Sequence, residues 1–165
     1  MRGLTIRSPE AEDIDTVHWI VASAGSFTPE EAEAAFALLE KSLNGLVNDE
    51  GELAYILEDA GVPVGFVCFG PTPQTVGTWG LHAVGVEQTG QRRGYGRHLL
   101  AYAEAEACRR GGRLMIAETA PHGPDEGAGS FYARSGYTLV ARIPGFYAPD
   151  EDKLVYLKGL ESVHP

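Results

Sequence analysis

The chain has 165 residues, of which 44% are hydrophobic, and its formal net charge is −10 at pH 7. This length and apolar content predict a single folded domain over residues 1–165 and exclude a disordered chain. The acidic balance argues against a nucleic-acid partner, because phosphate contacts require a basic surface and the chain has only 13 Lys and Arg residues.

The N-terminal part is predicted to form one short strand and two helices. Residues 4–7 have the pattern of a strand, and Ser8, which precedes a proline and several acids, is predicted to cap the first helix. The second helix carries a clear start signal, with Thr28 as its predicted cap. Gly45 is predicted to end it.

From residue 53 the hydrophobic period changes from about 3.6 to 2, which predicts strands. The segments LAYILED (53–59) and VGFVCFG (64–70) are predicted to form two antiparallel strands around a tight connection. WGLHAVGV (79–86) is predicted to be the next strand, and Gly85 inside it indicates either a bulge or a close approach of backbone. A helix is predicted after it, over residues 96–112.

The C-terminal part is predicted to contain two strands at the very end. RLMIAET (113–119) is a continuous apolar run, as in strands at the centre of a sheet, and SFYARSG (130–136) is predicted to be a short helix. YTLVARI (137–143) and KLVYLKGL (153–160) are predicted to be strands joined by a connection over 144–152. The order of the elements predicts a mixed α/β domain with helices on both faces of its sheet.

No apolar run reaches the roughly 18 residues of a membrane-spanning helix, and the first residues lack the apolar centre of a signal peptide. We therefore expect a cytoplasmic protein with no membrane partner. The two cysteines, Cys68 and Cys108, lie in apolar surroundings without CxxC spacing. Both are expected to be reduced and buried rather than joined in a disulfide or bound to zinc.

The segment GQRRGYGRHLL (90–100) places three arginines and three glycines at one point of an acidic chain. A glycine-rich turn between a strand and a helix exposes several N–H groups, and such a group of amides binds phosphate oxygens. Gly94 and Gly96 would let an anion approach the backbone. Charge-assisted contacts would come from Arg92, Arg93 and Arg97. The segment predicts a phosphorylated ligand, unless the glycines only shape a tight turn and the arginines are solvated.

The spacing of this segment disfavours two common phosphate-binding motifs. The Walker pattern requires a lysine and a hydroxyl residue after its glycines, and neither is present here. The dinucleotide-binding pattern GxGxxG does not fit glycines at positions 90, 94 and 96. GTP and NAD are therefore poor candidates for the ligand.

The stretch VGVEQTGQRRGYGRHLL resembles the acyl-CoA-binding motif of the GNAT acyltransferase superfamily. That motif, Q/R-x-x-G-x-G/A, stands five residues after a valine at the end of a strand, and here Val86 is followed by QRRGYG (91–96). The sequences IAETA, SFYARSGYTLVARI and FYAPDEDKLVYLKGL resemble the closing half of the superfamily, with its FY-x-x-x-G-[FY] signature. The resemblance covers residues 79–158.

The resemblance implies a mixed, mostly antiparallel central sheet that splays between its fourth and fifth strands. Acetyl-CoA would be the co-substrate, without a metal ion. Its pantetheine arm would pair with the backbone of Val84, Gly85 and Val86, and a strand N–H near Val86 could stabilise an oxyanion. The pyrophosphate would lie against the amides of the motif, which are those of Gln91, Arg92, Arg93, Gly94, Tyr95, Gly96 and Arg97.

The resemblance also suggests catalytic residues. Tyr132, the tyrosine of the FY signature, matches the position of the general acid that protonates the leaving thiolate, although it could instead only pack against the pantetheine arm. Many relatives carry a glutamate on the fourth strand, where this chain has Trp-Gly-Leu-His over 79–82. Glu118, His82 and a water chain therefore remain alternatives for the general base.

The leading hypothesis is an N-acetyltransferase in which a primary amine attacks acyl-CoA directly within a ternary complex. The alternative is a non-catalytic acyl-CoA-binding module with a sensory or regulatory role. The acceptor would be a small-molecule or peptide amine. The acidic field, and Asp125 and Glu126 in their loop, could attract a cationic amine, or these acids could simply be solvated and keep the protein soluble. An exposed final strand could pair across a homodimer. Four aromatic residues could line the acceptor cavity, namely Phe27, Trp79, Phe146 and Tyr147.

Overall fold

A computed structural model describes residues 3–24, 27, 29–43, 51–90, 93–121 and 127–161. The predicted ends of the second helix, Thr28 and Gly45, lie outside these residues. The elements follow the order predicted from the sequence. They are β1 (Leu4–Arg7), α1 (Asp13–Ala24), α2 (Pro29–Leu43), β2 (Leu53–Asp59), β3 (Val62–Pro71), β4 (Thr78–Val86), α3 (Tyr95–Arg109), β5 (Leu114–Thr119), α4 (Gly127–Arg134), β6 (Thr138–Ala148) and β7 (Glu151–Gly159).

The strands form one sheet in the order β1-β2-β3-β4-β5-β7-β6. Neighbouring strands are antiparallel except β4 and β5, which run parallel. The ladder between β4 and β5 ends at the pair of Leu81 with Ala117, while β4 continues to Val86 and β5 to Thr119. The two strands therefore part beyond this pair, and we call the resulting gap the mouth. This confirms the predicted mixed sheet that splays between its fourth and fifth strands.

Helices cover both faces of the sheet, as predicted. On one face, called the α3 face below, α3 and α4 pack over a core that includes Leu99, Leu100, Met115 and Tyr132. On the other, the α1 face, α1 and α2 pack over Val17, Ile20, Leu39 and Phe66. Each fully buried side chain of this size contributes roughly 1.5–3 kcal/mol to folding, so both faces hold the sheet in place around the mouth.

Helix α1 begins at Asp13, later than the predicted cap Ser8. The Asp13 carboxylate accepts the N–H of Glu10 at 2.6 Å and two guanidinium hydrogen bonds from Arg7, at 2.7 and 2.9 Å. Burial opposes ionisation, but the guanidinium and this N–H lower the pKa of Asp13 below its usual value. The sequence pattern missed this start because the guanidinium comes from β1, outside the helix itself.

The C-terminal hairpin is longer than predicted. Strand β6 extends to Ala148 and includes most of the segment 144–152, which was expected to be a connection. Gly145 adopts a φ of 63° within this strand, and its N–H donates to Asp152 at 2.9 Å, which keeps the irregular segment in the hairpin. Strand β7 lies between β5 and β6, so the prediction of an exposed final strand is wrong, and β6 is the edge strand on this side of the sheet.

Within the described part of the chain, no helix has both the length and the apolar character needed to cross a membrane. Both cysteines are free thiols, as expected. Cys68 is buried, and this burial, with the nearby charge of Glu52, raises the pKa of its thiol to about 12. Cys108 is only partly buried, and its Sγ lies 3.3 Å from the carbonyl oxygen of Glu161.

Candidate active site

A β-bulge lies at the start of the mouth. The pairing of β4 with β3 shifts register between Leu81 and Ala83, which leaves His82 as the extra residue. Leu81 and Val84 consequently both contribute to the core of the α3 face, although three positions separate them. The bulge thus sets the side-chain alternation along the stretch of β4 that borders the mouth.

Of the two alternatives predicted for Gly85, a bulge or a close approach, the structure shows the close approach. The bulge lies at His82 instead. A Cβ atom at Gly85 would overlap the ring of Phe66, and a Cβ at Gly65 would lie 2.9 Å from the Gly85 carbonyl oxygen. These contacts hold this part of β4 against β3. Gly85 and its neighbours Val84 and Val86 all lie beyond the last pair with β5, on the stretch that borders the mouth.

Helix α3 begins within the glycine-rich segment, at Tyr95. Gly94 precedes it with a φ of 82°, a left-handed conformation that favours glycine, and the space around its Cβ position is open. The N–H of His98 donates to the Gly94 carbonyl at 3.0 Å, and the N–H groups of the three preceding residues have no acceptor within the helix. These amides, of Tyr95, Gly96 and Arg97, and the positive end of the helix dipole favour an anion here.

The first side chains of α3 fix the position of the helix. Tyr95 is buried, and its hydroxyl donates to the carboxylate of Asp59 at the end of β2. A Cβ at Gly96 would lie 3.2 Å from the ring of Phe131, so Gly96 lets α4 pack closely against α3. Tyr95 and Gly96 can therefore reach a ligand through their main-chain amides, while their side-chain positions serve packing.

The arginines of the segment are at the surface. Arg93 and Arg97 are exposed next to the helix start, and Nη2 of Arg97 donates to the carbonyl oxygen of Arg134 at 3.4 Å. Both guanidinium groups add positive charge where the amides of α3 are exposed. The two remaining residues of the predicted motif, Gln91 and Arg92, lie outside the described residues.

Tyr132 lies on the α3 face beneath the mouth. Its ring is 5.7 Å from that of Tyr156, which pairs with Ala117, the last β5 residue in the ladder with β4. Burial, together with the negative charge of Glu31, raises the pKa of Tyr132 above its usual value. A tyrosine that keeps its proton at neutral pH can donate it to a leaving group.

His82 faces the α1 face and pairs with a carboxylate that the sequence did not single out. Its Nε2 lies 3.2 Å from Oε1 and 3.0 Å from Oε2 of Glu52, the residue before β2. The His82 ring lies over Gly80, whose neighbours in β4 face the opposite side of the sheet. The Glu52 side chain is 17% exposed and that of His82 is 39% exposed, so the imidazole is the more accessible partner.

Glu118 stands on the other side of the mouth, directly after Ala117. Because Met115 and Ala117 belong to the core of the α3 face, Glu118 points to the α1 face, as His82 does. Its carboxylate forms an ion pair of 2.6 Å with the Nζ of Lys153 on β7. The same Nζ lies 4.1 Å from the centre of the Phe146 ring, a cation–π contact. Both predicted candidates for the base therefore border the mouth, each with a partner.

The predicted aromatic lining is only partly at the mouth. Trp79 is 5% exposed and packs 5.9 Å from the ring of Phe69, so it belongs to the core of the α3 face. Phe27 packs 6.1 Å from the ring of Phe66 on the α1 face. These two residues support the sheet around the mouth.

Tyr147, another predicted lining residue, lies close enough to several carboxylates near the mouth for their charge to affect its pKa. About half of the residue is exposed. Partial burial raises the pKa of Tyr147, and the nearby charge of Glu118 adds to this shift, followed by those of Glu31 and Glu151. The surroundings of Tyr147 are thus acidic and aromatic. The two acids predicted to attract an amine, Asp125 and Glu126, lie outside the described residues.

The sequence analysis missed Glu52, Lys153 and the glycines beneath the Glu52–His82 pair. Glu52 and His82 meet only because β2, β3 and β4 are neighbours in the sheet, and their spacing of 30 positions carries no signal. Lys153 could have been noticed as a charged residue in an otherwise apolar strand. Across the described ranges, no group of three or more His, Cys, Asp or Glu side chains is arranged to hold a metal ion.

A sheet that opens between parallel strands, beside the amide-rich start of a helix, defines the acyltransferase fold that the resemblance implied. The model of the acetyltransferase (GNAT) family matches residues 15–137. The chain therefore belongs to the GNAT acetyltransferase family. No curated protein sequence matches it significantly.

Solved structures agree with this membership. A protein from Desulfovibrio desulfuricans, described as an acetyltransferase of the GNAT family, is 32% identical, with a TM-score of 0.88 over 96% of this chain and 99% of that one. The ribosomal-protein-S18-alanine N-acetyltransferase from Escherichia coli is 20% identical, with a TM-score of 0.71 over 98% and 96%. An aminoglycoside 6'-N-acetyltransferase in complex with coenzyme A is 21% identical, with a TM-score of 0.73 over 98% and 99%. At these lower identities the likeness shows the fold alone.

Proposed function

We propose that the chain is an N-acetyltransferase that moves an acetyl group from acetyl-CoA to a primary amine, by direct attack within a ternary complex. The observation that carries this proposal is the mouth. There, the open edge of β4 and the exposed amides of α3 border one gap, with Tyr132 beneath it and His82 on the opposite face.

The residues around the mouth fit an acyl-CoA molecule. The backbone of Val84, Gly85 and Val86 can pair with the amides of a pantetheine arm, as a strand pairs with a sheet edge. The first amides of α3 can bind the diphosphate, and the open space at Gly94 leaves the backbone accessible to it. The exposed Arg97 adds a positive charge at the same end. In this proposal, the undescribed Gln91 and Arg92 contribute further contacts.

The chain's own side chains handle the two protons of the reaction. Acetyl-CoA supplies an activated acetyl group, and its thiolate is the leaving group. Tyr132 keeps its proton at Oη because burial disfavours the phenolate, and it donates this proton to the departing sulfur. His82, on the acceptor side, takes the proton that the amine must lose before or during attack.

His82 is a better candidate for this base than Glu118. The carboxylate of Glu118 lies 2.6 Å from the ammonium of Lys153, so one side of it is occupied by a cation that would repel an incoming ammonium. His82 is paired with an acid instead, and its ring is 39% exposed at the mouth. The environment of His82 is therefore the one suited to receive a proton from a cationic amine.

The acceptor is an amine on a small molecule or a peptide. The acceptor side combines the ring of Tyr147 with the carboxylates that raise its pKa, and such surroundings attract a cation. The names of two structural relatives give different acceptors of this kind. One is an alanine of a ribosomal protein, and the other is an aminoglycoside. Both names describe transfer of an acetyl group to nitrogen.

A homodimer through β6 is the assembly that the sheet edge favours. β6 is an edge strand, and exposed apolar side chains lie along it, including Leu139, Val140 and Ile143. We expect sedimentation to give twice the mass of the chain, and Val140→Lys to shift the protein towards the monomer. A monomeric wild-type protein at all concentrations would contradict this.

The central experiment is a measurement of thiol release from acetyl-CoA with a panel of polyamines, aminoglycosides, amino acids and peptides. We expect turnover with at least one class and a mass increase of one acetyl group on the amine. Tyr132→Phe should lower kcat by about 10²–10⁴-fold with an unchanged Kd for CoA. Tyr137→Phe is the matched control, because this neighbouring ring lies 5.5 Å away in the same aromatic cluster.

Three outcomes would contradict the proposal in whole or in part. Binding of CoA without turnover on any amine would favour the non-catalytic acyl-CoA-binding module, for which the absence of an acid at positions 79–82 is the supporting feature. Absence of CoA binding at millimolar concentration would exclude both functions. Equal losses in Tyr132→Phe and Tyr137→Phe would remove the role of Tyr132 as the acid.

A further inference from the structure

We propose that Glu52 is a positioning residue for His82, and that its carboxylate holds the imidazole so that Nδ1 can accept the proton of the acceptor amine. This inference rests on the proposed function, because it concerns the base of that reaction. It assigns a role to a residue that lies outside the family motif, at the start of β2.

The geometry of the pair is the first support. The Glu52 carboxylate meets the imidazole at Nε2, with one oxygen at 3.2 Å and the other at 3.0 Å. An ionised carboxylate only accepts hydrogen bonds, so Nε2 must carry the proton. The lone pair of the neutral ring is then on Nδ1, which is the atom left to act as a base.

The burial of the carboxylate is the second support. Oε2 of Glu52 is buried and has no partner in hydrogen-bond geometry among the described residues, although it lies 3.0 Å from Nε2 of His82. A buried carboxylate oxygen in this state lacks the interactions that it would have in water. The imidazolium that forms when His82 takes up a proton would place a positive charge 3.0 Å from this oxygen.

Two glycines form a cradle beneath the pair, which is the third support. Gly70 on β3 and Gly80 on β4 are direct partners in the ladder. A Cβ at Gly70 would overlap the Glu52 carboxylate, and a Cβ at Gly80 would lie 3.1 Å from Cε1 of the His82 ring. The absence of both side chains therefore leaves the room in which the carboxylate and the ring lie side by side.

The neighbouring thiol does not compete for the proton. Cys68 lies on the same face of β3, and burial and the charge of Glu52 raise the pKa of its thiol to about 12. The thiol therefore stays neutral at physiological pH. In the reaction, one N–H bond of the attacking ammonium breaks, its proton bonds to Nδ1, and the freed lone pair of the amine attacks the acyl carbon. The C–S bond then breaks, and the thiolate takes the proton of Tyr132. The second proton that the nitrogen loses as the amide forms passes to solvent, from which Tyr132 is reprotonated.

A double-mutant cycle tests the proposal. We expect Glu52→Gln to lower kcat about 10–100-fold, the usual effect of removing the partner of a functional histidine, with an unchanged KM for acetyl-CoA. In a His82→Ala background, the same change should have no further effect, because Glu52 acts through the ring. Glu104→Gln, which removes another little-exposed carboxylate from its lysine partner, is the matched control and should keep wild-type kcat.

Gly70→Ala gives an independent test that leaves Glu52 in place. The added methyl group must displace the end of the flexible Glu52 side chain, so kcat should fall towards the value of Glu52→Gln while Tm changes little. Gly159→Ala is the control, because no atom lies within 4 Å of its Cβ position. Nitrogen-15 spectra of the wild-type ring should show the proton on Nε2, which checks the tautomer even where a variant fails to fold.

The outcomes separate this inference from the proposed function. Wild-type turnover with an unaffected Glu52→Gln variant would overturn the role of Glu52 alone. An equal loss from Glu52→Gln with and without His82 would show a purely structural role and also overturn it, as would a neutral His82 ring with its proton on Nδ1. Absence of turnover in the wild-type protein would instead remove the proposed function.

Discussion

The two strands that part at the mouth each carry an acid–base pair on the α1 face, and the pairs have opposite polarity. On the β4 side, the carboxylate of Glu52 is 17% exposed and the imidazole of His82 is 39% exposed. On the β5 side, the cation of Lys153 is 13% exposed and the carboxylate of Glu118 is 50% exposed. A position at the mouth is therefore not enough to identify the base. The charge of the buried partner also matters, because an anion beside the exposed group attracts a cationic amine and a cation repels it.

The largest effect that separates the two sides is expected from His82→Ala. Removing the ring leaves the amine without a proton acceptor, and loss of a general base typically costs about 10²–10⁴-fold in kcat. The KM for acetyl-CoA should not change, because the donor contacts lie elsewhere on the mouth. Steady-state kinetics on an accepted amine measures both, and a loss below about threefold would show that His82 is not the base.

The next effect concerns the packing of β4 against β3 and its contribution to the free energy of unfolding. Gly85→Ala places a methyl group into the Phe66 ring, and overpacking of this kind costs about 1–3 kcal/mol of unfolding free energy. Urea denaturation measures the loss, with Gly159→Ala as the control in open space. A variant as stable as the wild-type protein would mean that β4 can shift away from β3.

A smaller effect is expected from Glu118→Gln on the β5 side. This carboxylate is half exposed and paired with Lys153, and exposed ion pairs contribute only about 0–1 kcal/mol. We expect kcat to change by less than about fivefold, because the proposed reaction passes no proton through this carboxylate, whereas loss of a general base costs about 10²–10⁴-fold. The same kinetic assay measures it. A loss as large as that in His82→Ala would reverse the assignment and make Glu118 the base.

The last effect is a pH dependence of stability from Tyr132, which does not arise at neutral pH. Burial, with the charge of Glu31, raises the folded-state pKa of Tyr132 above its unfolded value of about 10. The stabilisation is thus fully present below about pH 10 and is lost as the pH rises towards the folded-state pKa. Unfolding free energies of the wild-type protein should fall relative to Tyr132→Phe by at most about 1.4 kcal/mol per pH unit. Parallel curves would contradict the shift.

The sequence was sufficient for the order of the elements and for the family, because hydrophobic period and turn residues are local signals. It could not place the bulge, since a shift at His82 depends on the pairing of β4 with β3. It could not find Glu52, because that residue reaches His82 across the intervening strand β3. The extension of β6 was missed for a similar reason, since the N–H of Gly145 is held by Asp152 on the partner strand.

The glycine-rich segment shows how far a motif can be carried over to a structure. The motif predicted Tyr95 as part of the phosphate site, and the structure places its hydroxyl on Asp59, so only its amide can face a ligand. Gly94 keeps its open backbone, whereas the Cβ position of Gly96 is taken up by Phe131. Spacing in the sequence predicts which amides are exposed, but the packing of the side chains depends on other elements.

Binding of coenzyme A along β4 at the mouth and at the start of α3 is tested most directly by titrating the nitrogen-15-labelled protein with coenzyme A and following the amide chemical shifts. We expect the largest shifts on two stretches, Val84–Val86 of β4 and Tyr95–Arg97 of α3, and we expect both to saturate with one Kd. Saturable binding with shifts confined to other parts of the chain, or no shifts at millimolar coenzyme A, would contradict this expectation.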